Sequence, residues 1–134
     1  MKIKSFLVAG LMSAIVLASC SKEKDTIDPN IAIEGVWIGK YSILSEPYSN
    51  FYSFRFKAGG VLELIDITQT KKGEGTWAFT NDNEVISGTY TLIPPDSGTF
   101  SFVANFDKNT LEIDGTWGVG SQEYGGGYWY MNKL

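Results

Sequence analysis

The chain has 134 residues, room for one ordinary domain, with no His and a single Cys. That composition excludes a Ser-His-Asp triad, an intrachain disulfide and a cysteine-ligated zinc site. The net charge is −4 and Arg55 is the sole arginine, so the clustered basic residues of a nucleic-acid footprint are missing. Aromatics at 14% with 15 Gly describe a β-rich globular chain.

Met1 to Ser19 reads as a secretory signal peptide. Lys2 and Lys4 supply the positive start, and Phe6 to Ala18 is apolar apart from Gly10 and Ser13. This stretch is too short to span a bilayer as a stable helix. Leu17-Ala18-Ser19-Cys20 resembles the lipobox of bacterial lipoproteins. In that family the leader is cut before the Cys, which carries a thioether-linked diacylglycerol and usually an N-acyl chain such as palmitate. The resemblance implies lipidation at Cys20 and membrane attachment through that lipid. A free thiol in an oxidising envelope would otherwise be odd. Acyl chains at ~0.8 kcal/mol per buried CH₂ anchor such a protein essentially permanently. Losing Lys2 and Lys4 takes the net charge from −4 to −6, so lipid rather than charge must hold it to an anionic surface.

Residues 20–33 read as the lipidated Cys and a flexible tether, charged at first and punctuated by Pro29-Asn30. The polar run after Cys20 also resembles the export tags of Bacteroidetes surface lipoproteins, which are more acidic. The implied location is the bacterial envelope at the outer membrane, on its periplasmic side or at the cell surface.

From residue 34 to 134 the period is two, with turn residues between runs. Glu34–Leu44 puts Trp37, Tyr41 and Ile43 on one face with Gly35 and Gly39. Phe51–Lys57 puts Tyr52, Phe54 and Phe56 opposite Ser53, Arg55 and Lys57, and Gly59-Gly60 signals a hairpin. Val61 to about Thr68 follows, then Lys71-Lys72-Gly73 as a turn into Glu74–Thr80, where Trp77 and Phe79 align with Gly75. Asn81-Asp82-Asn83 turns into Glu84–Ile93. After Pro94 to Gly98, Thr99–Phe106 aligns Phe100, Phe102, Ala104 and Phe106. Asp107-Lys108-Asn109 leads to Thr110–Gly118, with Leu111, Ile113 and Trp117 opposite Glu112, Asp114 and Thr116. A Gly-rich loop precedes Tyr128–Lys133. The expected fold is all-β: about eight antiparallel strands in an up-and-down meander closed into a small barrel, because closure removes both exposed edges. A two-sheet sandwich of the same strands is the alternative.

Gly35-Val36-Trp37, Gly75-Thr76-Trp77 and Gly115-Thr116-Trp117 recur forty residues apart, and Gly88-Thr89-Tyr90 and Gly98-Thr99-Phe100 share the pattern. A Gly two residues before a ring, on the same strand face, leaves room for the ring and lets a coiled strand bend. Gly35-Val36-Trp37-Ile38-Gly39-Lys40-Tyr41 resembles the opening strand of calycin-type barrels, the lipocalin and avidin group. Ser87-Gly88-Thr89-Tyr90 and Gly127-Tyr128-Trp129-Tyr130-Met131 are similar to avidin-like strands. In that group the first-strand Trp closes one end of the barrel or packs under the ligand, a role the resemblance gives to Trp37 alone. The lipocalin disulfides are absent, and the biotin-binding residues of avidin have no match.

Carboxylates are the only candidate catalytic groups. Glu112 and Asp114 share a strand face, but that face alternates with Leu111, Ile113 and Trp117 and is the wet one. Glu63 stands alone, and Asp82 with Glu84 lacks an EF-hand-like run. Lys71-Lys72 is no nucleic-acid patch, and Gly125-Gly126-Gly127 has no phosphate-loop context. The expectation is therefore not an enzyme, with no metal, no cofactor and no nucleic-acid partner. It is a binding module for a small apolar or aromatic-stacking ligand, with Trp37, Tyr41, Phe54, Phe56, Trp77, Phe79, Tyr90, Phe100, Phe102 and Trp117 as pocket or core lining. Two other readings stand beside it: a structural or accessory lipoprotein with a filled barrel, and a polysaccharide-contacting surface protein using Tyr124 and Tyr128.

Overall fold

In the computed structural model, residues 27–80 and 82–134 are described. The expected signal peptide, Cys20 and the first part of the tether lie outside them. Eight antiparallel strands follow one another around a closed barrel: β1 (Gly35–Tyr41), β2 (Asn50–Lys57), β3 (Val61–Ile65), β4 (Lys71–Thr80), β5 (Val85–Leu92), β6 (Thr99–Asp107), β7 (Glu112–Val119) and β8 (Gly127–Lys133). β1 closes the ring by pairing with β8, Trp37 opposite Lys133 through Tyr41 opposite Trp129. This is a barrel and not a sandwich, and it is compatible with a calycin-like fold.

Alternation sorts the side chains. Trp37, Phe54, Phe56, Phe102, Trp129 and Met131 point inward and are essentially inaccessible. The outward positions are mostly polar, among them Arg55, Glu74, Thr89, Thr91, Glu112 and Asp114. Apolar-in and polar-out is the reverse of a bilayer-spanning barrel, whose apolar band faces lipid. No helix among the described residues is long and apolar enough to cross a membrane.

The core is a lattice of edge-to-face rings. Trp37 meets Phe56 at 6.3 Å and Phe106 at 5.9 Å, and Phe54 meets Trp129 at 5.5 Å. Such pairs add ~0.5–1.5 kcal/mol each beyond area burial. Two glycines of the recurring triplet make close strand coiling possible. A Cβ on Gly75 would run into the backbone of Thr89 and Tyr90, and one on Gly115 into the backbone of Val103 and Ala104. The three Trp of the triplet nevertheless occupy different places: Trp37 is in the sealed core, Trp77 is near that same end, and Trp117 is half-buried at the opposite mouth.

Two local expectations are corrected. The segment read as tether up to residue 33 ends in a short helix, α1 (Pro29–Ile33), with Asp28 as its N-cap and Pro29 opening it. Ile33 is fully buried, its carbonyl accepts from Trp37 Nε1 at 2.7 Å, and Lys133 Nζ donates to the Ala32 carbonyl at 2.8 Å. The helix thus seals the end of the barrel where β1 begins. Second, Lys71-Lys72-Gly73 is strand and not turn. β3 stops at Ile65 and the turn falls on residues 66–70. Asp66 causes this: its Oδ1 accepts from Thr68 N at 2.9 Å, Thr68 Oγ1 at 2.6 Å and Thr70 N at 3.0 Å, diverting the backbone from the ladder. A bulge between Leu64 and Ile65 lets pairing resume with Lys71.

Candidate functional site

The end of the barrel opposite α1 is not filled. There the inward side chains of the strand ends stand back from one another and leave a half-open cavity of about 320 Å³. Tyr41, Tyr52, Leu64, Tyr90, Phe100 and Trp117 form its inner wall. It lies in the size range of small-molecule sites and has their makeup, apolar and aromatic with few polar groups.

The opening arises from register. β2 pairs with β3 only from Phe54 opposite Leu64 down to Lys57 opposite Val61. Above that level Asn50 to Ser53 pair with β1 alone, because the Asp66 turn has already ended β3. The cavity therefore reaches sideways through the β2–β3 seam, where Phe51, Ser53, Ile65 and Asp66 edge it. The seam is braced from outside. Arg55 Nη1 donates to Glu63 Oε1, with Lys57 Nζ at 3.4 Å from Oε2, and Arg55 Nη2 reaches Gln69 on the turn at 3.4 Å. The Arg55 hydrogen bond holds the Glu63 carboxyl below the usual glutamate range. Its Thr68 and Thr70 donors hold Asp66 low likewise.

The far side of the mouth is pinned. Ser42 N donates to the Tyr128 carbonyl at 2.8 Å, Leu44 N to that of Gly126 at 2.7 Å, and Trp117 Nε1 to that of Ser42 at 2.9 Å. Around the rim, Ile43, Leu44, Tyr48, Ile67, Val119 and Tyr124 are all exposed. An apolar approach thus surrounds an apolar cavity.

Three tyrosines line the wall, Tyr41, Tyr52 and Tyr90, and the last two pair through their hydroxyls. Tyr52 and Tyr90, both 5% exposed, share a hydrogen bond between hydroxyls at 2.8 Å. Burial pushes the Tyr90 hydroxyl up to about 12, and burial with Tyr90 beside it raises Tyr52 well above the usual range. Both are neutral at physiological pH.

Of the residues proposed from sequence, Tyr41, Tyr90, Phe100 and Trp117 line the cavity. Trp37, Phe54, Phe56, Trp77, Phe79 and Phe102 pack beneath it. Sequence reasoning put Tyr52 on the right strand face without singling it out, and missed Leu64, Leu92, Ile65 and Asp66. Trp129, flanked by Tyr128 and Tyr130 on β8, is fully buried.

Of the carboxylates weighed for catalysis, Glu112 and Asp114 are exposed on the outer wall and Glu63 is tied to Arg55. Asp82 and Glu84 border a groove at the α1 end that they share with Asp107, Glu112 and Asp114. Among the described residues no cluster of three or more Cys, Asp or Glu is arranged to hold a metal ion. Comparison with protein-family models, curated proteins and solved structures finds no match.

Proposed function

We propose that this protein is a lipid-anchored, non-enzymatic binding module of the bacterial outer membrane, holding a small apolar ligand in its open barrel end. The cavity of about 320 Å³, aromatic-walled and rimmed by exposed apolar side chains, carries this reading. The lipobox-like Leu17-Ala18-Ser19-Cys20 supports the anchor.

The two features fit together geometrically. The chain enters the barrel at its sealed end: Ile27 lies beside Lys108, whose Nζ is 3.4 Å from the Ile27 carbonyl. A lipid on Cys20 is seven residues upstream. Even fully extended, that length spans at most ~25 Å. Anchored so, the sealed end faces the membrane and the mouth faces away from it, open to a ligand arriving from the aqueous side.

The exposed rim also favours a second reading, an accessory lipoprotein that docks a partner protein over its mouth. Native mass spectrometry of the protein extracted from its own envelope separates the two. A one-to-one small-molecule adduct is expected, lost on Leu92→Trp, which fills the cavity from its wall. A wild type free of any adduct overturns the ligand reading and favours the accessory one.

A further inference from the structure

Resting on the reading of the cavity as a ligand site, we propose that Tyr52 and Tyr90 select a neutral ligand carrying a hydrogen-bond acceptor, such as a ketone, ester or amide carbonyl, on a compact apolar body.

Counting hydrogens carries the argument. A phenol has one O–H to donate. Two phenols joined by one hydrogen bond use one of their two donors. Neither hydroxyl has a further partner among the described residues, so whichever donates, the other O–H is left over. That donor sits on a side chain 95% buried, in the wall of a cavity whose other inner groups are chiefly aromatic rings and leucines. Water in the half-open cavity meets it when the barrel is empty, but a purely apolar ligand that displaces this water leaves the donor buried and unmet, which is costly. An acceptor on a bound molecule satisfies it directly.

Charge narrows the class. Among the cavity's lining residues Asp66 bears the only formal charge at neutral pH, and it is negative. No cation lines the cavity; on the strands beside its seam, Arg55 is paired with Glu63 and Lys72 stands 3.9 Å from Asp66. The high-lying tyrosine hydroxyls stay protonated as donors. An anionic head would be desolvated there with no counter-ion, which is expensive. Size narrows it again, since about 320 Å³ holds roughly ten waters at ~30 Å³ each. The body is therefore of one or two rings or a short chain, not a full-length lipid.

The test is a ligand-observed NMR titration of the full chain in lipid nanodiscs with three probes of one shape: indane, indanone and indane carboxylate. One neutral hydrogen bond to a donor otherwise left unmet corresponds to about three- to tenfold in affinity. Indanone is expected to bind tighter than indane by that factor, and the carboxylate weakest. Each single variant, Tyr52→Phe or Tyr90→Phe, still carries one free O–H and keeps the preference. The double variant loses it while binding indane as before. Equal affinities of indanone and indane in the wild type, a preference that survives the double variant, or tighter binding of the carboxylate overturns the tyrosine selection and leaves the cavity reading intact. Binding of none of the three overturns both. The wild-type comparison needs no variant to fold.

Discussion

Removing the Trp37 side chain should unseat the closed end of the barrel. Trp37 is fully buried, stacks edge-on against Phe56 and Phe106, and donates to the Ile33 carbonyl of the helix that seals that end. Trp→Ala in a core costs ~3–5 kcal/mol. Leaving a carbonyl unpaired at a buried site adds ~1–3 kcal/mol where water cannot reach it. The sum is a large part of the ~5–15 kcal/mol that holds a domain together. At ~4–8 °C per kcal/mol for a domain near this size, Trp37→Ala should lower the unfolding midpoint by at least ~12 °C. Trp37→Phe separates the two roles. It keeps an aromatic filler but loses the N–H, and should cost ~1–3 kcal/mol. Trp117→Ala, at the half-open mouth, should cost less than Trp37→Ala because its surroundings already admit water. Thermal unfolding followed by far-ultraviolet circular dichroism reads all three. A Trp37→Ala protein within ~0.5 kcal/mol of wild type, the range of exposed sites, would mean that Trp37 does not hold the sealed end together.

Other expectations follow from the seam, the coil and the anchor. Glu63 lies below its ordinary value because of Arg55, so its contribution is complete above the normal glutamate range and is lost as pH falls through the lowered one. Between about pH 5 and pH 3, Glu63→Gln should lose less stability than wild type; parallel acid-unfolding curves would dismiss the Arg55–Glu63 brace. Asp66 and Asp107 shift the same way but are common to both proteins, so the difference isolates Glu63. Gly75→Ala drives a methyl into the Thr89–Tyr90 backbone and should destabilise by ~1–3 kcal/mol or more, measured by urea unfolding, where a neutral result would mean the strands can spread. Cys20→Ala should abolish palmitate labelling; unchanged labelling would dispose of the lipobox reading.

Strand number, order and facing were legible because each strand writes its own period. Tyr52-Phe54-Phe56 and Phe100-Phe102-Ala104-Phe106 alternate with polar residues, and Gly59-Gly60 and Asp107-Lys108-Asn109 mark turns. The helix α1 was not legible by periodicity, since Pro-Asn-Ile-Ala-Ile is too short to show one. Its signal was the Asp28-Pro29 cap. The cavity was illegible for a different reason. Alternation says which residues face inward but not how far along the barrel axis each one sits. Three identical Gly-x-Trp spacings therefore look alike in sequence and end in a sealed core, a near-sealed end and an open mouth. The opening itself depends on Asp66 ending β3 early, a contest between one carboxylate and a ladder. The pair of Tyr52 and Tyr90 lies 38 residues apart and meets only when the barrel closes.

The barrel end opposite α1 is proposed to hold a small apolar ligand. Isotope-edited NMR of the full chain with bound indanone tests it most directly, by locating the probe. The expected result is a set of nuclear Overhauser contacts from indanone to Tyr52, Tyr90, Phe100 and Trp117, and none to Trp37 or Phe56 in the sealed core. Contacts confined to the outer wall, or to the exposed rim without Tyr52 and Tyr90, would contradict it.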